Sequence, residues 1–241
     1  MSFTLAKPIT SPQKGVHKNL EKTVLRHFNS QNQKPIAEHN RQMFTEAYQW
    51  WQGRKEPKVI LDSGCGTGES SRYLAGLYPD HCVIGLDQSA KRLGHNDNIE
   101  LPDNCLLLRC ECTDFWRLAE QTQWSFDHHT LFYPNPYPKP QHLQRRWHGG
   151  AAFPSLLAIS QKIELRTNWK IYAKEFYAAL LIVNQHVERA VLHEYRPEQI
   201  VTAFERKYWQ SGHSLWKVIL PIPISFLKPA AANNTNKTNK G

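Results

Sequence analysis

The residues best placed to do chemistry are Leu61-Asp62-Ser63-Gly64-Cys65-Gly66-Thr67-Gly68-Glu69, an acid and three alternating glycines directly after the apolar run Val59-Ile60-Leu61. Glycine lacks Cβ and tolerates positive φ, so a strand that ends in such a turn brings its backbone close to a ligand. Glu69 to Gly76 reads as a helix whose N-terminal amides face the same ligand. The spacing is G-x-G-x-G with an acid two residues ahead, neither the G-x-G-x-x-G of dinucleotide enzymes nor the G-x-x-x-x-G-K of phosphate loops. Asp87 closes a second apolar run at about the twenty-residue distance where an acid meets ribose hydroxyls, and a carboxylate can accept two of them. Glu111 follows a third apolar run and suits the amino group of an adenine; Asp114 competes with it, or else N-caps the next helix. Acids at three successive strand ends around a glycine turn point to a nucleoside-containing cofactor, with Asp62 at the turn itself.

These groups must be held at one edge of a sheet. Apolar runs at Val59–Leu61, Cys82–Asp87, Cys105–Cys110, Phe126–Phe132 and Ile163–Arg166 read as strands, and helical patterns fall between or after them at Glu69–Gly76, Ser89–Leu93, Asp114–Gln121 and Ile171–Val183. Alternating strands and helices predict a parallel sheet with right-handed crossovers. Met43, Phe44, Ala47, Tyr48 and Trp51 have helical spacing, so a packed helix is expected over Asn40–Trp51. Phe204–Tyr208 and Leu215–Leu220 are expected to close the sheet as a strand pair, or as a loop and one edge strand. Residues 1–40 carry few periodic apolar positions and read as a mobile or loosely attached segment, and residues 228–241 as a disordered tail. Residues 41–227 are then the folded domain.

Composition narrows the class. The 241 residues suit one α/β domain with decoration, and their net charge of +9 points to a polyanionic partner, nucleic acid first. Eight tryptophans and nine tyrosines among basic groups suit unstacked bases, or equally a tryptophan-rich core. No apolar run is long enough to cross a bilayer and no basic amphipathic helix suits its surface, so no membrane role is expected. The N-terminus lacks a secretory h-region, and the five cysteines read as reduced core thiols of a cytoplasmic protein. Cys110-Glu111-Cys112 has no second cysteine pair at zinc-like spacing, so no metal site is expected.

The most unusual stretch is Phe132-Tyr133-Pro134-Asn135-Pro136-Tyr137-Pro138-Lys139-Pro140-Gln141-His142-Leu143-Gln144-Arg145-Arg146, where prolines stiffen the chain before a basic cluster. With the glycine turn, Arg166-Thr167-Asn168-Trp169-Lys170-Ile171-Tyr172-Ala173 and Thr202-Ala203-Phe204-Glu205, this sequence resembles the bacterial tRNA (guanine-N7)-methyltransferases. The matches keep family order from Leu61 to about Lys217. The resemblance implies a Rossmann-like class I methyltransferase fold, a central, mostly parallel seven-stranded sheet with helices on both faces. It implies S-adenosylmethionine as cofactor, held by Asp62 (at its ammonium), Gly64, Gly66, Gly68, Asp87, Glu111 and Asn135. It implies tRNA as partner, in a monomer or weak homodimer. By the same resemblance Asn135 and His142 are the candidate catalytic residues, and Lys139, Arg145, Arg146, Asn168, Thr202 and Glu205 the substrate-binding ones. Guanine N7 has a free lone pair, so catalysis is mostly orientation and stabilisation of the positive charge that develops on the purine.

The sequence departs from the family at the residues nearest that charge. The family's acid between the two prolines is Asn135, its acid in the strand-five motif is Asn168, and its tryptophan is Tyr137. An amide cannot stabilise a cationic purine as a carboxylate can, and such a loss costs on the order of 3 kcal/mol. A diverged paralogue acting on another RNA base or a small molecule, and a non-catalytic RNA-binding module, therefore stand beside the guanine-N7 enzyme.

Overall fold

A computed structural model describes residues 5–55, 57–96, 98–183 and 190–221. Seven strands form one sheet: β1 (Lys58–Ser63), β2 (His81–Asp87), β3 (Cys105–Arg109), β4 (His128–Phe132), β5 (Lys162–Thr167), β6 (Val191–Tyr195) and β7 (Leu215–Pro221). Their order is β3-β2-β1-β4-β5-β7-β6, with β7 antiparallel to both β5 and β6 and the rest parallel. The helices are α1 (Leu20–Phe28), α2 (Glu38–Gln52), α3 (Glu69–Leu77), α4 (Ala90–Leu93), α5 (Cys112–Gln121), α6 (Phe153–Ala158), α7 (Lys170–Val183) and α8 (Ala203–Gln210). The order of the strands reverses between β1 and β4, and such a switch point opens a crevice beyond the carboxyl ends of the strands.

Adjacent strand residues point to opposite faces, and here both faces are buried. Val59 and Leu61 join Ile84, Leu86, Leu131 and Leu165 in a large core under α1, α2, α5, α6 and α7. Ile60 and Val83 join Leu74 and Ala75 of α3 in a smaller core on the other face. The tryptophan-rich core is realised: Trp124 packs against Phe44, Tyr48, Trp51, Phe115 and Phe126. Two histidines are buried in β4, His128 with Nε2 3.3 Å from Glu164 Oε2 and His129 with two hydrogen-bond partners. His129 bridges Ser63 Oγ and Ser160 Oγ, each at 2.8 Å, and burial together with His128 lowers its pKa to about 3, so it stays neutral.

Three expectations are corrected. Phe204–Tyr208 is not a strand but lies in α8, because Thr202 and Glu205 cap a helix there; the edge strand is β6, which has no strong pattern in sequence. Residues 5–40 are not loosely attached. Leu20 and Val24 of α1 are buried against α6 and α7, Ala6 N–H donates to Ser211 Oγ at 2.8 Å, and Ser11 Oγ donates to the Pro138 carbonyl. The apolar stripe is only one residue wide per turn, and the remaining anchors are polar bonds invisible to periodicity. The expected disordered tail at 228–241 lies outside the described residues. No described helix is long and apolar enough to cross a membrane.

Candidate active site

The glycine turn sits at the carboxyl end of β1, next to the switch point. Gly64, Gly66 and Gly68 all have positive φ (78°, 62° and 74°). Gly64 and Cys65 N–H both donate to the Leu86 carbonyl, which pins the turn to β2. At Gly68, where α3 starts, a φ of 74° strains any other residue, and a Cβ would also press on Leu107 Cδ1 at 2.5 Å. Gly66 has open space where a Cβ would point, and its N–H donates to Asp87 Oδ2 at 3.0 Å.

The three acids have different roles. Asp62 does not line the cavity. It is buried, with Oδ2 accepting from Ser70 and Ser71 and Oδ1 from Thr130 at 2.9 Å. Burial raises its pKa against these bonds, and it braces α3 and β4 at the turn. Asp87 ends β2 and lines the cavity. Its Oδ1 accepts from Ser89 N–H and from Arg92 Nε and Nη2 (3.1 and 2.8 Å), while Oδ2 takes Gly66 alone. Glu111 precedes α5 and lines the same cavity. Asp114 turns inward and accepts from Asn40 Nδ2 at 2.7 Å, tying α2 to α5 rather than serving a ligand.

The proline-rich loop after β4 forms the opposite wall. Tyr133 and Tyr137 have φ of 52° and 43°, strained for residues that precede prolines. Each is held by several contacts. Tyr133 N–H donates to the Arg166 carbonyl and its hydroxyl to Glu205, while the Tyr137 carbonyl accepts from Arg146 Nε and Nη2. Asn135 between them is exposed and lines the cavity. Lys139 and Arg145 are exposed, with Arg145 5.8 Å above the Tyr137 ring, and half-buried His142 meets that ring edge-on. Partial desolvation and then the Arg145, Lys139 and Arg146 charges lower the His142 pKa.

Three substrate-side expectations are corrected. Arg146 cannot grip a phosphate: it is fully buried and paired with Glu175, which also accepts from His148 Nε2 and Gln13 Nε2. Burial alone would raise the Glu175 pKa, but His148 and Arg146 outweigh it and hold it at about 2. Glu205 is also fully buried. Its Oε1 accepts from the Tyr133 and Tyr195 hydroxyls and Arg166, and its Oε2 from Val201 N–H. Thr202 accepts from Glu205 N–H at 2.9 Å, so the pair is a helix cap and a brace for Tyr133. The corrections at Arg146 and Glu205 have one physical reason: a charged residue at a motif position can equally satisfy buried backbone. Asn168 lies off the cavity and meets His213 Nδ1 at 3.1 Å.

The cavity measures about 600 Å³, within the range of small-molecule sites. It brings together Gly64, Gly66, Asp87, Glu111, Asn135 and Arg145; Asp62, Gly68, Lys139, His142, Arg146, Asn168, Thr202 and Glu205 do not line it. Sequence reasoning missed Arg92, Trp147, Phe204 and Tyr208 in its walls. Only Phe204 carried a signal, as the apolar residue inside a polar helix start.

A family model described as "Putative methyltransferase" matches residues 56–218. A tRNA (guanine-N(7)-)-methyltransferase of Pseudomonas savastanoi pv. phaseolicola is 27% identical over 172 residues, 68% of this chain and 70% of its own length. One of Nitrosospira multiformis is 29% identical over 178 residues, 69% and 75% of the two chains. Among solved structures, an antibiotic-related methyltransferase superposes with a TM-score of 0.54 at 13% identity, covering 74% of this chain and 94% of its own. The 16S rRNA methyltransferase KamB gives 0.52 at 14%, covering 78% and 95%. At such identities these two likenesses establish the fold alone.

Proposed function

The chain belongs to the methyltransferase family matched over residues 56–218, and on that premise we propose that it transfers a methyl group from S-adenosylmethionine to guanine N7 in tRNA. The tRNA (guanine-N(7)-)-methyltransferases similar to it over two thirds of its length support this substrate. The observation that carries the reading is the contrast between the two walls of the cavity. The wall at the ends of β1, β2 and β3 holds carboxylates and a positive-φ glycine turn; the wall from β4 and α8 holds Pro134, Asn135, Pro136, Tyr137 and Phe204.

The first wall fits the cofactor. Asp87 Oδ2 has a lone-pair site to spare for ribose hydroxyls, Gly66 leaves open space beside it, and Glu111 in the same wall can accept from a base amino group. When bound, the sulfonium supplies an electrophilic methyl group. The second wall fits an acceptor that needs no deprotonation. Burial, with Tyr195 and Glu205, raises the Tyr133 pKa, and burial raises that of Tyr172, so neither phenol ionises near neutrality. Among the described residues of that wall no side chain can act as a base, which suits the free lone pair of N7. The remaining task is orientation, by the clamped loop 133–139 and by Arg145 at the mouth.

The test is nucleoside mass spectrometry of tRNA incubated with the protein and methyl-labelled cofactor. Labelled 7-methylguanosine is expected. A different labelled nucleoside supports the second reading, another RNA base, which Asn135 and Asn168 favour because they remove the charge the family keeps. Cofactor binding without any labelled nucleoside refutes both.

A further inference from the structure

Six aromatic rings line the cavity, and five are already engaged. Tyr172 is fully buried and its hydroxyl accepts from Trp147 N–H. Trp147 packs on the Gly64 turn and edge-on to Trp116. Tyr133 is tied to Glu205, and Tyr137 has Arg145 above its ring. Tyr208 has two near-parallel neighbours, His213 at 5.5 Å and 14° and Phe204 at 6.1 Å and 20°. The stack is rigidly based, since His213 meets both Asn168 and the Ala6 carbonyl, and Thr202 and Glu205 cap the helix that carries the other two rings. It ends at Phe204, which is 45% exposed and faces the cavity.

An anchored stack of parallel rings that stops with an apolar ring in a polar cavity lacks a flat group at its end. We propose that Phe204 is the platform on which the acceptor base stacks, an inference that rests on the RNA-methylating reading above. Every base has a π-face, and stacking on an aromatic side chain is a general mode of holding unstacked RNA bases. The assignment also addresses the missing charge at Asn135. A purine methylated at a ring nitrogen becomes a cation, and a cation is attracted to the face of an aromatic ring, so Phe204 stabilises the transition state more than the neutral base. Phe204 is thus both a binding and a rate-determining contact.

The experiment compares Phe204→Ala, Phe204→Leu and Phe204→Trp in steady-state methylation of tRNA, with cofactor affinity by calorimetry and thermal midpoints alongside. Phe204→Ala is expected to lower kcat/KM roughly 5- to 150-fold, the range of a lost base stack. Phe204→Leu keeps apolar area without a π-face and is expected to lose mostly kcat, while Phe204→Trp stays within about threefold of the parent. Cofactor affinity and midpoints are expected to be unchanged in all three. Parent protein that methylates tRNA beside Ala and Leu variants of unaltered kinetics overturns the platform alone. So does a Leu variant that loses cofactor binding or folds less stably, because the ring is then structural. Parent protein that methylates no RNA fails the reading beneath it instead.

Discussion

Replacing Glu175 by glutamine tests whether a buried ion pair holds the proline-rich loop after β4. Arg146 and Glu175 are both fully buried. The carboxylate accepts from Arg146, His148, Gln13 and His17 N–H, so four donors from two segments converge on one charge. The guanidinium in turn donates to the Tyr137 and Lys139 carbonyls and lies 4.9 Å over the Trp169 ring. Glu175→Gln keeps the shape but leaves Arg146 charged and uncompensated, which costs about 3–5 kcal/mol. The expected result in urea unfolding is an unfolding free energy lowered by that amount, seen as a lower midpoint at unchanged slope. Arg146→Met with Glu175→Leu removes both charges, and is expected to recover most of the stability. It is not expected to recover activity, because the strained Tyr137 carbonyl loses its donors and Asn135 and Tyr137 lose their fixed geometry. A Glu175→Gln protein destabilised by less than about 1 kcal/mol, or a double variant with parental kcat, would refute the reasoning.

Asp87→Ala should abolish cofactor binding in calorimetry while tRNA affinity changes little, and Arg145→Ala should do the reverse; both changes striking one ligand would sink the division of the cavity into two walls. Asn135→Asp should raise kcat for guanine methylation by about tenfold or more if charge at that point is what the site lacks, measured under saturating cofactor. Glu175 should also make stability acid-sensitive. Its folded pKa of about 2 lies below the ordinary 4.5, so its contribution is present above 4.5 and is lost as pH falls toward 2; Glu175→Gln should flatten that part of the pH–stability curve. Gly68→Ala should destabilise by about 2 kcal/mol or more, since the residue holds a φ of +74° and a Cβ would meet Leu107 at 2.5 Å, and thermal unfolding would reveal it.

How far the sequence could be read follows from which interactions are local. The strands β1 to β5 were legible because they carry apolar residues in runs, most of them buried, and the glycine turn because only glycine readily takes three positive φ values within five residues. Asp87 was legible for the same reason: its distance from the turn is set by one strand-helix-strand unit. Edge strand β6 and helix α1 were not, because one pairs only with β7 and the other is seated by a few apolar and polar contacts from distant segments. By itself, then, the sequence determined the parallel sheet, the turn that opens its crevice, the acids at the strand ends and the family they belong to. The tertiary structure alone decided what each polar group meets. Asp62, Arg146 and Glu205 carry charges that look ready for ligands, yet each lies buried among donors or acceptors that only folding brings together. Phe204 looks like core and stands open at the cavity. Burial is a property of the whole fold, and for a charged or aromatic side chain burial separates a brace from a contact.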